Sequence, residues 1–252
     1  MRGWLPFTKK ELLEQWRGWK CFILWGVLLL FGMLGPLTAK FMPELIAGMG
    51  MEIVLPPPTF LDAYVQFFKN LTQMGLMVVL LVFATTVSQE FQRGTALLLF
   101  SRGLSRPAFL LGKYAGQVLV WTVGYALSAG VAYGYTAVLF PEQAPQQLFW
   151  ALLCLWLLGD FILALLTLFG ALGRQAYLPL LLTAGVLMVL LLLQMLPPVA
   201  EVSPLALGSR NLELIQGVLS PRALAGPMAL ALGGILACLG GGIDRKSTRL
   251  NS

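Results

Sequence analysis

Long apolar stretches alternate with short polar ones along this chain, and their lengths predict helices that cross a membrane. Six segments qualify, at 21–37, 70–87, 114–140, 148–172, 177–196 and 223–243. A bilayer-spanning helix needs about 17–25 predominantly apolar residues. Charge is absent from five of the six, and Asp160 interrupts the fourth. Two longer polar inserts separate them. The first, 40–69, holds Glu44, Glu52, Asp62 and the rigid Pro56-Pro57-Pro58. It is too long for a tight hairpin and too proline-broken to span, so it is predicted as an external loop with a short helix near Pro43 to Met51. The second, 197–222, carries Glu201, Arg210 and Glu213 and is predicted as another external loop, with a short helix over Asn211 to Leu219. Spans four and five form a tight hairpin around Arg174, and Pro141 to Gln147 turns the chain between spans three and four.

Residues 1–20 are patterned differently. Leu12, Leu13, Trp16 and Trp19 fall on one side of a helix whose remainder is Lys9, Lys10, Glu14 and Arg17, while Thr8 and Glu11 stand at capping-box spacing. A basic helix with paired tryptophans lies flat in the headgroup region. The segment is therefore predicted as an amphipathic cytosolic interface helix anchored by Trp16 and Trp19; the plainer alternative is a frayed polar lead-in. It lacks the small-residue cleavage pattern of a secretory signal.

The other polar segment that stands out is 88–113, SQEFQRGTALLLFSRGLSRPAFLLGK. Val87 to Phe100 suits a short helix, with Glu90 and Arg93 one turn apart and Leu97, Leu98 and Phe100 on an apolar side. Ser105 then stands as an N-cap and Pro107 in the first turn of the third span. Two readings compete. One makes 88–113 a polar elbow that meets a soluble partner, through Glu90, Arg93, Gly94 and Thr95. The other makes these ordinary juxtamembrane charges that fix orientation. In both, Arg106 and Lys113 anchor the third span at the headgroups.

Composition sharpens the class. Of 252 residues, 58% are hydrophobic and only 11% charged, with a mean hydropathy of +0.81; soluble domains carry about 25% charged residues. The net charge of +6 is not gathered with aromatics as a nucleic-acid surface requires. Instead it follows the membrane pattern. With six spans both termini share a side, and that side holds thirteen Lys and Arg against four opposite. The positive-inside bias puts both termini and the elbow in the cytosol. The last stretch, 244–252 (DRKSTRLNS), changes character abruptly and reads as a junction or adapter read-through. Setting aside its three basic residues leaves ten against four.

Candidate chemistry is sparse. The chain has no histidine, which removes imidazole-based general base catalysis and imidazole zinc sites. A Ser–His protease dyad is impossible, and paired acids for a metal-dependent intramembrane protease are missing from the spans. Cys21, Cys154 and Cys238 each fall in apolar sequence, a poor setting for disulfides or zinc. Gly112-Lys113 is followed by Tyr114 and lacks the glycine offset of a phosphate-binding loop, so any ATP and its Mg would bind another chain. Asp160 is the one ionisable residue well inside a span. It either lines a substrate or proton pathway or is hydrogen-bonded in helix packing. Gly112-xxx-Gly116 and Gly130-xxx-Gly134 match the small-residue spacing of close helix pairs.

The order Glu90, Gly94-Thr95, Leu97 to Leu99, Ser105-Arg106, then Leu111-Gly112-Lys113 opening a membrane helix resembles the ABC-2 family of ABC-transporter permeases. In that family the segment between the second and third spans carries a coupling helix that docks on the ATPase, and N-terminal interface helices also occur. The resemblance implies an all-α, six-span subunit of a prokaryotic cell membrane. It would pair with a second permease copy or a paralogue, with two ABC ATPase subunits and with membrane lipids, and would export a substrate without being an enzyme. The other classes open to this sequence are an ion-gradient carrier coupled at Asp160 and a membrane scaffold that transports nothing.

Overall fold

The computed structural model describes residues 4–48, 57–142, 144–172 and 175–248, and among these no residue lies in a strand. The amphipathic start forms α1 (Trp4–Arg17), and a bend at Gly18 leads into α2 (Trp19–Gly48). The first apolar segment is helical as expected, but α2 does not end at Gly35-Pro36. A proline removes one rung of the helical ladder; here the helix continues, and the Thr38 hydroxyl donates to the carbonyls of Leu34 and Gly35 at 2.6 and 3.0 Å. Gly35 is a packing position. A Cβ there would lie 3.0 Å from the backbone nitrogen of Phe67, so the missing side chain lets two helix backbones approach.

The partner at that contact is α3 (Phe60–Asn70), and it corrects the first predicted external loop. A π-helical turn (Leu71–Gly75) and α4 (Leu76–Phe83) extend α3, so the second long helix begins ten residues before the expected Asn70. The two charges that suggested a loop mark the ends of α3. Asp62 accepts hydrogen bonds from the Thr59 N–H and hydroxyl, both at 2.8 Å, and so caps its start, while Lys69 sits exposed in its last turn. Ala63, Tyr64, Phe67 and Phe68 are buried between them. Of the short helix expected near Pro43 to Met51, Pro43–Gly48 belongs to α2 and the rest lies outside the described residues.

The elbow follows as α5 (Ser88–Gln92) and α6 (Thr95–Ser101), then α7 (Arg106–Leu139) and α8 (Leu148–Leu172). Next come α9 (Leu178–Leu193) and three short helices, α10 (Pro197–Ala200), α11 (Ala206–Ser209) and α12 (Asn211–Ile215), and last α13 (Ala225–Thr248). The core gathers on α8, whose Leu155, Leu158, Ile162, Leu163 and Leu166 are almost wholly buried among α4, α7, α9, α12 and α13.

Two ends are defined by contacts. At one, Phe7 of α1, Ala96 of α6, Phe109 and Leu110 of α7, Ala171 of α8 and Ile243 of α13 share an apolar cluster. At the other, the Gln146 N–H just before α8 donates to the Ile215 carbonyl of α12 at 3.2 Å. Thus α1, the elbow and the ends of α8 and α13 meet at one end, and the turn before α8 meets α12 at the other; Arg174 and 249–252 lie outside the described residues. Among the described residues, five helical segments are long and apolar enough to cross a membrane: Trp19–Met42, Phe60–Gln92, Arg106–Leu139, Leu148–Leu172 and Pro221–Ile243. Where the pattern predicts a further span over 177–196, α9 has 16 residues, about 24 Å at ~1.5 Å per residue. The chain is a polytopic helical membrane protein.

Candidate functional site

The elbow is built around two glycines. The single helix expected over Val87 to Phe100 is broken at Gly94, whose φ of +73° reverses the helical hand for one residue. A side chain makes that conformation costly, and glycine adopts it freely. Gly103, at φ +88°, turns the chain into Ser105 and α7. Ser105 has the extended backbone of an N-cap and Pro107 lies in the first turn, as the sequence predicts, but the Ser105 hydroxyl is buried and makes no capping bond.

Three carboxylates and two lysines meet beside this turn. Lys113, predicted as a headgroup anchor, is 3% exposed. Its Nζ lies 2.6 Å from Glu11 Oε2 and 2.9 Å from Glu90 Oε1. The Thr95 hydroxyl donates to the Glu90 carboxylate and lies 3.2 Å from the Glu90 carbonyl oxygen. Lys10 closes the group, 3.6 Å from Glu11 Oε1 and 2.9 Å from Glu14 Oε2. Burial pulls the Lys10 pKa down, but the hydrogen bond it donates to Glu14 and the charges of Glu11, Glu14 and Glu90 outweigh it, so the value is raised. The Glu11, Glu14 and Glu90 oxygens converge within 4.8 Å, and lysine ammonium groups fill the place a metal cation would take.

Lys113 is buried because α1 folds back over the start of α7. Gly112 faces the Phe7 ring and Gly116 faces the Gln15 amide; a Cβ at Gly112 would come 2.6 Å from Phe7 Cδ1. The first small-residue pair therefore seats α1 within the chain, whereas a Cβ at Gly130 or Gly134 would meet nothing within 4 Å. The inward face of α1 is Phe7, Glu11 and Gln15. Thr8 lies inside the helix, so the expected Thr8–Glu11 cap is not made, and the Glu11 carboxylate serves Lys113. Trp16 and Trp19 point outward, at 56% and 83% exposure, where headgroup contact is open to them.

Aromatic packing fixes the elbow to α7. Phe109 meets Phe7, Phe91 and Phe100 with ring centroids 5.5, 5.6 and 5.5 Å away. Arg106, also predicted as an anchor, holds its guanidinium 5.8 Å above the Phe100 ring. The four residues proposed for partner contact thus divide. Glu90 and Thr95 are engaged internally, Gly94 makes the turn, and Arg93 is exposed, together with Leu97, Leu98 and Arg102. The apolar side expected from Leu97, Leu98 and Phe100 is split: Phe100 packs on Phe109 and the two leucines face outward. The burial of Lys113 was not legible in the pattern, because its partner Glu11 comes from the other end of the N-terminal half.

Asp160 belongs to a different place. It is 4% exposed in the middle of α8, with Oδ1 lacking a hydrogen-bond partner among the described residues, and Tyr114 of α7 is near enough to interact with its charge. It faces other helices and does not join the elbow cluster.

Comparison with known proteins places this architecture among membrane proteins without assigning a task. No family model matches the chain. Over 198 residues it is 29% identical to the uncharacterized transmembrane protein YxlG of Bacillus subtilis (strain 168), an alignment covering 74% of this chain and 76% of that protein. That relative's name, a transmembrane protein, agrees with the membrane-length apolar helices of this chain.

Proposed function

We propose that the chain is the membrane-spanning permease subunit of an ATP-driven exporter of the ABC-2 type in the cell membrane. The observation that carries this reading is a rigid handle with a free outer face. The elbow is locked to α7 and α1 through Glu90–Lys113–Glu11 and the Phe109 cluster, yet Arg93, Leu97, Leu98 and Arg102 remain exposed. A force applied to α5–α6 would pass into the third span through buried charge and aromatic contacts. ATP and Mg would sit on a separate ATPase pair, whose closure tilts the handle and rearranges a cavity between two permease copies. The driving free energy would come from the nucleotide's different affinity for the two states, since no group in this chain supplies it.

The test is co-purification of an ABC ATPase with the tagged chain expressed in its native cells. Arg93→Glu, Leu97→Glu and Leu98→Glu alter only exposed side chains. Each should lower ATPase capture about tenfold or more, as expected for loss of an interface anchor, while the thermal profile of the membrane subunit stays unchanged. Undiminished capture by all three would overturn the docking face. A second reading, an ion-gradient carrier, draws on the unpartnered oxygen of Asp160. Flux by the purified chain without nucleotide, abolished by Asp160→Asn, would favour it instead.

A further inference from the structure

We propose that the cavity between α1, the elbow and the α1–α2 bend binds the phosphate-bearing headgroup of an anionic membrane lipid. The cavity is about 650 Å³ and is lined by five basic and three acidic side chains. All three acids are engaged internally: Lys113 bridges Glu11 and Glu90, and Lys10 pairs with Glu14. Five cations against three carboxylates leave the lining with a formal excess of +2. Lys20, Arg93 and Arg102 then line the same space with no ion-pair partner among the described residues, and Lys20 makes only a hydrogen bond to the Thr85 hydroxyl at 3.2 Å. Lys20 on α2 is repelled by Arg93 and by the already paired Lys113, and Arg93 and Arg102 flank the two ends of α6 on the same cavity. Guanidinium and ammonium groups brought together in this way match phosphate oxygens.

The rest of the lining says which phosphate. Trp19, Phe83 and Leu98 form an apolar wall, and beyond Trp19 the exposed Phe22 and Ile23 continue it along the outside of α2. Free phosphate would use the cations and leave this wall idle. A headgroup would place its phosphate among Lys20, Arg93 and Arg102 and lay its glycerol and acyl portions against Trp19 and α2. Seated there, it would bridge α2 to the elbow and add to the hold that Lys113 exerts from within. The proposal needs no ATPase; it shares Arg93, Leu98 and Arg102 with the proposed docking face, and lipid retention and ATPase capture read the two separately.

The experiment is native mass spectrometry of the full chain in detergent with phosphatidylglycerol or phosphatidylcholine, paired with thermal unfolding in the same lipids. Phosphatidylglycerol should bind preferentially and raise the unfolding temperature. The double variant Lys20→Gln, Arg102→Gln should bind it about twenty-five-fold more weakly, at roughly fivefold per neutralised cation, and lose the thermal gain. Arg222→Gln, a neutralisation of an exposed cation at the opposite end, should change neither. Equal retention of both lipids, or undiminished phosphatidylglycerol binding by the double variant, would overturn the site. Displacement of bound lipid by inorganic phosphate at matched concentration would assign it to free phosphate. Displacement by an oligoglutamate peptide would assign it to an acidic protein segment. Either would overturn the lipid.

Discussion

Lys113 is the side chain on which the elbow depends most. Its ammonium and the Glu11 carboxylate are 4% and 2% exposed as side chains, so each is the other's substitute for water. Removing one partner of a buried pair typically costs about 3–5 kcal/mol, because the remaining charge is left uncompensated. Lys113→Met should accordingly lower the denaturation midpoint steeply, and Glu11→Leu combined with Lys113→Met should recover part of the loss. The measurement is chemical denaturation in detergent, followed by Trp fluorescence. A single variant as stable as wild type would show that the cluster is hydrated and loose. The sequence displayed part of this site and hid part. Glu90 and Thr95 lie five positions apart in a segment already marked by its charges, so the segment was legible, although the pattern offered both to a partner and the fold bonds them to each other. Glu11 and Lys113 carry no local sign of one another. A lysine opening an apolar segment has the appearance of a headgroup anchor until α1 is folded over it.

Among the elements, the helices themselves were legible from apolar length, and their ends were not. Pro36 and Asp62 are the instructive cases. Proline and charge usually interrupt helices, but here Pro36 lies within α2 beside the close Gly35–Phe67 approach, and Asp62 caps α3. Tertiary contact decided the first, and a one-dimensional pattern does not carry it; the second was decided locally, by Thr59 at capping-box spacing before Asp62. The glycines separate in the same way. A Cβ at Gly159 would fall 2.5 Å from the Trp121 ring, which is fully buried and whose indole N–H donates to the Trp156 carbonyl at 3.2 Å, so the ring has no room to yield. Gly159→Ala should destabilise by about 1–3 kcal/mol through overpacking. Gly130→Ala and Gly134→Ala face open space and should leave the isolated chain as stable or up to about 1 kcal/mol more stable, from helix propensity alone. Thermal unfolding of the three variants side by side decides this. Should the Gly130 or Gly134 variant instead lower oligomer content at unchanged monomer stability, that face is where a second copy packs.

For the molecule as a whole, the open question is how a 16-residue α9 fits a bundle whose other long helices match a bilayer. Contacts at the two ends supply the argument. The end of α8 joins the elbow cluster through Ala171, and the start of α8 is tied to α12 by the Gln146–Ile215 hydrogen bond. The chain between α8 and α12 must therefore return along the full length of α8. If α8 crosses the membrane, the α9 segment crosses with it. About 24 Å of helix falls short of the ~30 Å hydrocarbon core, and local thinning of the bilayer makes up such a difference at modest cost. Basic residues gather at the elbow end, which should then face the cytosol. Single cysteines in a background with Cys21, Cys154 and Cys238 replaced make this measurable, since Glu142, Glu201, Gln92 and Ser101 are all exposed. In intact cells an impermeant maleimide should label Glu142→Cys and Glu201→Cys, and should reach Gln92→Cys and Ser101→Cys only after permeabilisation. Labelling of Glu201→Cys together with Gln92→Cys would mean that α9 does not cross, and the arrangement of α12 against α8 would have to be abandoned with it. Labelling of Gln92→Cys and Ser101→Cys from outside would invert the whole chain and place the elbow beyond reach of any cytosolic ATPase.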